Sequence, residues 1–161
     1  MSTPITARPL TPAAFAPYGD VMEATGTPDK VINQGKCGRF HDRAQLDFAD
    51  GCAGISIFKG EIETLPLTLK MVERHPMGSQ AFVPMSADGF LVVVAQDDGG
   101  VPTDPQAFLT RPGQAINFHR GTWHGVLTPL SEPGLFAVID RIGDGANLEE
   151  HWFEETYVIA G

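Results

Sequence analysis

The chain has 161 residues, enough to bury a real hydrophobic core and most simply organised as one domain over residues 1–161. Hydrophobic residues make up 42% and charged residues 19%, with no low-complexity tract, which excludes a disordered chain. The formal net charge of -9, from 11 basic and 20 acidic side chains, excludes a surface built to neutralise phosphates, so neither nucleic acid nor anionic membrane is an expected partner.

The opening MSTPITARPL lacks the apolar core of a secretory signal. No apolar run approaches the roughly 20 residues that span a bilayer. Cys37 and Cys52 sit in GKCGRF and DGCAGIS and form no CxxC framework, so free thiols in a reducing, cytoplasmic setting are expected.

Near the N-terminus, LTPAAFAPYGDVM offers Thr11 as an N-cap and Pro12 at the first helical position, before Pro17 and Gly19 stop the helix. The chain then breaks into short apolar stretches separated by Gly, Pro and Asp: GISIFKG, LPLTLKMVER, QAFVPM, GFLVVVA, QAFL, AINF, TWHGVL and LFAVIDR. That spacing predicts an all-β barrel or sandwich.

From Leu65, the residues Leu67, Leu69 and Met71 alternate with polar or solvent-facing neighbours, the period of a half-buried strand. Continued, the period carries Glu73 and His75 to the buried face, and leaves Lys70 and Arg74 on the other. Gln80 and Phe82 share a face if QAFVP is extended, as do Thr122, His124 and Val126 on TWHGVL. FLVVVA and LFAVID read as strands buried on both sides or central in a sheet. In the closing NLEEHWFEETYVIA a helical turn is expected around Leu148 to Phe153, followed by an edge strand from Tyr157 to Ala160.

Inward-pointing Glu, His, Gln and His require partners, because an unpaired buried polar group costs a few kcal/mol, roughly. A ligand site supplies them. Glu73-Arg-His75-PMGS-Gln80 and Gly113-QAINF-His119-Arg120-Gly121-TW-His124-GVL-Thr128 resemble the two motifs of cupin barrels, G-x5-H-x-H-x3-4-E-x6-G and G-x5-P-x-G-x2-H-x3-N. Glu73 stands for the first histidine, Gln80 for the glutamate, His119 for the proline and Thr128 for the asparagine. Two imidazoles, a carboxylate and an amide oxygen at Glu73, His75, Gln80 and His124 suit a divalent metal such as nickel, iron, manganese or zinc, although an amide is a weaker ligand than a carboxylate. Both a metal centre and a metal-free acid/base site stay open.

AFAPYGDV, ERHPMGSQAFVPM, NFHRGTWHGVL and the later AVIDR resemble, in order and over essentially the full length, the ureidoglycolate lyase family, formerly described as ureidoglycolate hydrolases. The resemblance implies an all-β, cupin-type double-stranded β-helix (jelly-roll barrel) with one or two short helices, a homodimer, and release of urea from the small-molecule substrate (S)-ureidoglycolate to give glyoxylate in allantoin, hence purine, catabolism.

Cleaving a hemiaminal that carries a carboxylate needs an anchor, a base for the hydroxyl proton and an acid for the leaving nitrogen. His124 and Glu73 are the first candidates for the base, with His75 beside them and His119 as a possible acid. Each also has a structural reading: His124 as a satisfied core histidine, His119 as a turn residue, His75 as an extended pre-proline residue and Glu73 as an ion-pair partner. Gln80 can orient the substrate through its amide. Arg39, Arg74, Arg120 and Arg141 are candidate anchors, since guanidinium pairs carboxylates bidentately, against a reading of each as a surface or loop-tethering ion pair. Trp123 alternates away from His124 and reads as packing. His41 and Asp42 read as a loop pair or a cavity-mouth pair.

Two other functions share these residues. Glu73, His75 and His124 compose the two-histidine, one-carboxylate set that holds ferrous iron in oxygenases. A non-catalytic module binding a small carboxylate is the other. No nucleophile elbow is present.

Overall fold

A computed structural model describes residues 1–161. Its elements in chain order are β1 (Thr3–Thr6), β2 (Arg8–Pro9), α1 (Pro12–Phe15), β3 (Gly19–Met22), β4 (Lys30–Ile32), β5 (Cys37–Arg39), β6 (Cys52–Lys59), β7 (Leu67–Arg74) and β8 (Gln80–Pro84). They continue with β9 (Phe90–Asp98), β10 (Val101–Leu109), β11 (Ala115–Phe118), β12 (Trp123–His124), β13 (Thr128–Pro129), β14 (Leu135–Ile142) and β15 (Glu149–Ala160). The protein is nearly all β, as its punctuated apolar stretches predict.

One sheet runs β1-β15-β7-β12-β9-β10-β2, with β13 also on β9, and a second runs β3-β11-β8-β14-β6; β4 and β5 form a separate hairpin. The larger sheet nearly closes. β1 pairs parallel with β15 at one edge and β2 parallel with β10 at the other, so the short segment Thr3–Pro9 stitches both edges together. Ala7 N–H donates to Ala160 O at 2.7 Å and Leu10 N–H to Leu109 O at 2.9 Å, completing the seam. This is the barrel that the cupin-type reading requires.

Two cores result. Ala7, Leu69, Val72, Leu91, Val93, Ala95, Ala107, Trp123 and Ile159 fill the closed sheet. Phe15, Phe82, Phe90, Val92, Val94, Phe108, Phe118, Phe136 and Val138 pack between the larger sheet and the five-stranded one. Alternate residues of β9 feed the two clusters, which explains why FLVVVA is apolar without interruption. The strand in LFAVID is central in its sheet, between β8 and β6. Of its apolar residues only Phe136 and Val138 are buried, and the neighbouring Ile55 and Ile57 of β6 stay 74% and 59% exposed.

Helix α1 forms where Thr11 and Pro12 place it: Thr11 Oγ1 accepts from the Ala14 N–H at 3.2 Å, and Phe15 is driven fully into the core. It is the single helix. The turn expected at Leu148 to Phe153 is instead extended from Glu149, in register with β7: Glu149 faces Arg74, Glu150 faces Glu73 and His151 faces Val72. Phe153 packs on the inner cluster while Trp152 is 61% exposed, a period of two that overrides the local helix-forming composition.

The alternation along β7 also changes phase. Leu69 and Val72 both pack inside the closed sheet although they are three residues apart, and the slip lies opposite the bulge of β15 between Trp152 and Tyr157. Below the slip Leu67 and Leu69 face the inner cluster. Above it Val72 and Arg74 take that face and Glu73 turns toward the five-stranded sheet.

Candidate active site

Glu73 on β7 lies directly opposite His124 on β12. His124 reaches β12 through a turn in which Gly121 holds φ +79, a conformation that favours glycine, and in which Thr122 N–H donates to His119 O at 3.1 Å. Trp123 then faces the inner cluster and His124 the other face, stacked on Phe118 with ring centroids 4.1 Å apart and planes 5° off parallel.

His124 is 1% exposed, and burial lowers its pKa from 6.5 to about 3, with the neighbouring His75 adding to the fall and a bond to Gly125 opposing it. The ring is therefore neutral. Its Nδ1 contacts the Gly125 carbonyl at 2.8 Å, and since a carbonyl only accepts, the proton sits on Nδ1 and the lone pair on Nε2. Nothing in the protein meets that Nε2.

His75 repeats the arrangement. Its Nδ1 contacts Asn147 O at 2.8 Å, its Nε2 is buried without a hydrogen-bond partner, and its ring centroid is 5.2 Å from that of His124. Asn147 also fixes the following turn, its side-chain oxygen accepting from the Met77 N–H at 2.8 Å. Glu73 Oε1 is 3.9 Å from His75 Nε2, too long for a hydrogen bond. Burial raises the Glu73 pKa, with Glu150 adding to the rise and His75 opposing it.

Ligand atoms of Glu73, His75 and His124 all lie within 4.8 Å of one another. Gln80 supplies a further oxygen: its Nε2 donates to Asp140 Oδ2 at 3.1 Å, while Oε1 is buried and unpartnered. Two imidazole nitrogens with their protons turned away, a carboxylate and a free amide oxygen fit a borderline divalent cation. Buried unpartnered acceptors otherwise cost roughly 1–3 kcal/mol each, so the arrangement is built for something they can hold.

Glu73 and Gln80 also line a cavity of about 330 Å³, together with Phe58, Lys59, Gly60, Phe82, Val126 and Leu127. That size suits a small ligand. One wall is apolar and aromatic; the other carries Glu73 and Gln80.

The structure does not bring the other sequence candidates into this group. His119 lies beyond the end of β11, with Nε2 3.0 Å from Asp20 Oδ2 in a contact that is not aligned as a hydrogen bond. Burial would raise the Asp20 carboxyl, but the Asn117 amide, the Gln45 N–H and His119 outweigh it and hold the pKa low. Arg74 sits on the Trp123 face: Nε is 2.6 Å from Glu149, Nη1 is 2.8 Å from Asp97, and the guanidinium lies 4.4 Å over the Trp123 ring. Arg141, 8% exposed, donates to Phe48 O, Asp50 Oδ1 and Asp144 O, and so ties loops rather than offering a free fork. Arg120 donates to Pro76 O at 2.7 Å and Arg39 is an exposed residue of the β4–β5 hairpin. His41 caps a loop, its N–H donating to Asp29. For Arg74, Arg120 and Arg141 the tethering reading is the one their contacts support.

Asp140 is the residue that pattern reading misses. It ends the apolar part of LFAVIDR, and only the pairing of β14 with β8 places it across from Gln80.

Compared with known proteins, residues 2–160 match the family model described as ureidoglycolate lyase. A protein of Rhodobacter capsulatus named ureidoglycolate lyase is 58% identical over 144 residues, 89% of each chain. One from Rhizobium meliloti named ureidoglycolate lyase 2 is 52% identical over 158 residues, 97% of each chain. A ureidoglycolate lyase of Mesorhizobium japonicum is 54% identical over 159 residues, 98% of each.

Proposed function

The chain belongs to the ureidoglycolate lyase family, and from that membership we propose that it is a lyase that cleaves the hemiaminal C–N bond of ureidoglycolate to glyoxylate and urea, a step of allantoin breakdown. The observation that carries the reading at the level of chemistry is the convergence of Glu73, His75 and His124 within 4.8 Å beside a small cavity.

The reaction removes the hydroxyl proton, turns its electron pair into the aldehyde C=O, and sends the C–N pair to nitrogen, which takes up a proton as urea leaves. Glu73 is suited to both transfers. Its raised pKa makes it a stronger base than an exposed carboxylate, and the proton it takes from the hydroxyl is the one the departing nitrogen needs. The Nε2 lone pairs of His75 and His124 accept from the substrate or hold a cation, and Gln80 Oε1 accepts from a urea N–H. Glu73, His75, His124 and Gln80 are the residues that would hold a divalent metal, which would supply Lewis-acid polarisation of the hydroxyl when bound. Glu73 has two oxygens, so holding a cation with one leaves the other for the proton.

The test is release of urea and glyoxylate from racemic ureidoglycolate by the protein as isolated, after chelation, and after addition of single divalent metals. Turnover lost on chelation and restored by one metal assigns the ligand role; turnover indifferent to chelator assigns direct acid/base catalysis. No urea release refutes the reading, and oxygen uptake with a small organic acid in its place would mark the oxygenase.

We further propose a homodimer through the outer face of the five-stranded sheet, where Ile55 and Ile57 are exposed beside the half-buried Ala137 and Ile139. No helix is long and apolar enough to cross a membrane. Cys37 and Cys52 are unpaired, which supports placing the protein in the reducing cytoplasm.

A further inference from the structure

His75 and His124 each give the Nδ1 proton to a main-chain carbonyl and keep the lone pair on Nε2, but the two carbonyls come from very different places in the chain. For His124 the acceptor is Gly125, the next residue, so the strand that carries the ring also sets its tautomer. For His75 it is Asn147, 72 residues away, in the loop between β14 and β15. β7 ends at Arg74, just before His75, and the His75 carbonyl is itself taken by the Gly121 N–H at 3.0 Å.

That loop, residues 143–148, is exposed except at Asn147, which is half-buried. Asn147 Oδ1 accepts from the Met77 N–H at 2.8 Å while its main-chain oxygen accepts from His75 Nδ1 at 2.8 Å, so one residue grips the turn on both sides of Pro76. An amide nitrogen only donates, so the Met77 N–H fixes which end of the side chain points at it. Gly145, at φ +95, lets the loop lie close: a Cβ there would stand 3.1 Å from Met77 Sδ. A competing acceptor waits on the other side of the ring, since Glu73 Oε1 is 3.9 Å from His75 Nε2.

We propose that Asn147 is the positioning residue of His75: by holding the Met77 N–H, its side chain keeps its own carbonyl on Nδ1 and turns the Nε2 lone pair into the site. With that carbonyl displaced, the Nδ1 proton loses its partner and the neutral ring carries it instead on Nε2, toward the Glu73 carboxylate. Nε2 then has no lone pair for substrate or cation, and Glu73 is engaged by the ring. The effect on turnover rests on the lyase reading; the effect on the ring does not.

The test is nitrogen-resolved NMR of the imidazole rings in the metal-free protein, in mildly alkaline solution, together with kcat, KM and Tm, for wild type, Asn147→Ala and Asn147→Asp. Wild type should show His75 and His124 both protonated on Nδ1. Asn147→Ala should shift His75 toward the Nε2-protonated form, leave His124 unchanged as the internal reference, and lower kcat about 10- to 100-fold, the usual cost of losing a group that orients a functional histidine. Its KM should stay within a few-fold and its Tm fall by only a few degrees, the loop being exposed. Asn147→Asp keeps an oxygen for the Met77 N–H and should restore the tautomer and most of the turnover. A loop asparagine with a structural role alone would move Tm and leave the His75 tautomer in place, and that result overturns the proposal. So do a wild-type His75 protonated on Nε2, a shifted tautomer with unaltered kcat, and a defect that Asn147→Asp fails to relieve. If wild type releases no urea, the lyase reading fails, and the tautomer comparison still decides whether Asn147 sets the His75 ring.

Discussion

Replacing His124 by phenylalanine should make the metal-free protein less sensitive to acid while abolishing its activity. The imidazole is fully enclosed, stacked on Phe118, and its pKa falls from 6.5 to about 3 because the cation cannot be solvated there. A histidine depressed in the folded state contributes stability above its unfolded pKa and loses it as pH falls toward the folded value. At pH 7 nothing is lost. Between pH 6.5 and 4.5 the unfolded chain takes up a proton the native site refuses, and at 1.36 kcal/mol per pH unit this one residue removes about 3 kcal/mol of stability. Phenylalanine keeps the stack on Phe118 and has nothing to titrate. Urea denaturation in the presence of chelator, at pH 7 and pH 4.5, should show wild type losing about 3 kcal/mol more than His124→Phe across that interval. Contributions from other groups cancel in the difference. Equal losses in the two proteins would show that the imidazolium is accommodated at this position and that the neutral, Nε2-acceptor form is wrong. Turnover by His124→Phe near the wild-type rate would separately remove the residue from the site.

Glu73→Gln should lower kcat by about 10²- to 10⁴-fold, the usual range for a lost general base. Because burial raises its pKa, ionised Glu73 opposes folding as pH rises through that value, so metal-free Glu73→Gln should melt no lower than wild type at pH 7. Asp140→Ala frees the Gln80 amide to turn its oxygen away, and calorimetry should show divalent metal affinity reduced about 10- to 100-fold with little change in Tm. Arg141→Ala leaves the carbonyls of Phe48 and Asp144 without their donor and should cost about 3 kcal/mol in denaturation, whereas kcat of the folded fraction stays near normal; a large kcat loss would return Arg141 to the substrate.

The sequence brings out most of the candidate site for a definite reason. Glu73, His75, Gln80 and His124 fall at spacings that two strand pairs can converge, and polar residues at apolar phases announce a cavity. Period alone reaches the right face of β7 by a wrong route, since the strand slips phase after Leu69 against a bulge in a partner nearly ninety residues away. No local pattern records such a partner. The same blindness turns Leu148 to Phe153 into a helix, hides Asp140, and makes every arginine an equally good anchor. Which charges are already neutralised is a property of tertiary pairing.

The seam of the large sheet has its own consequence for how the protein is made. Ser2 and Thr156 touch across a sequence separation of 154 residues, and β1 has no other strand to pair with until β15 exists. A nascent chain can assemble the five-stranded sheet and its aromatic layer first, but the ring around Leu69, Val93 and Ile159 stays open until the last strand is translated. Throughout that interval the growing polypeptide carries an unzipped, apolar sheet edge, and this is the stage at which chaperone capture or aggregation would compete with the final closure.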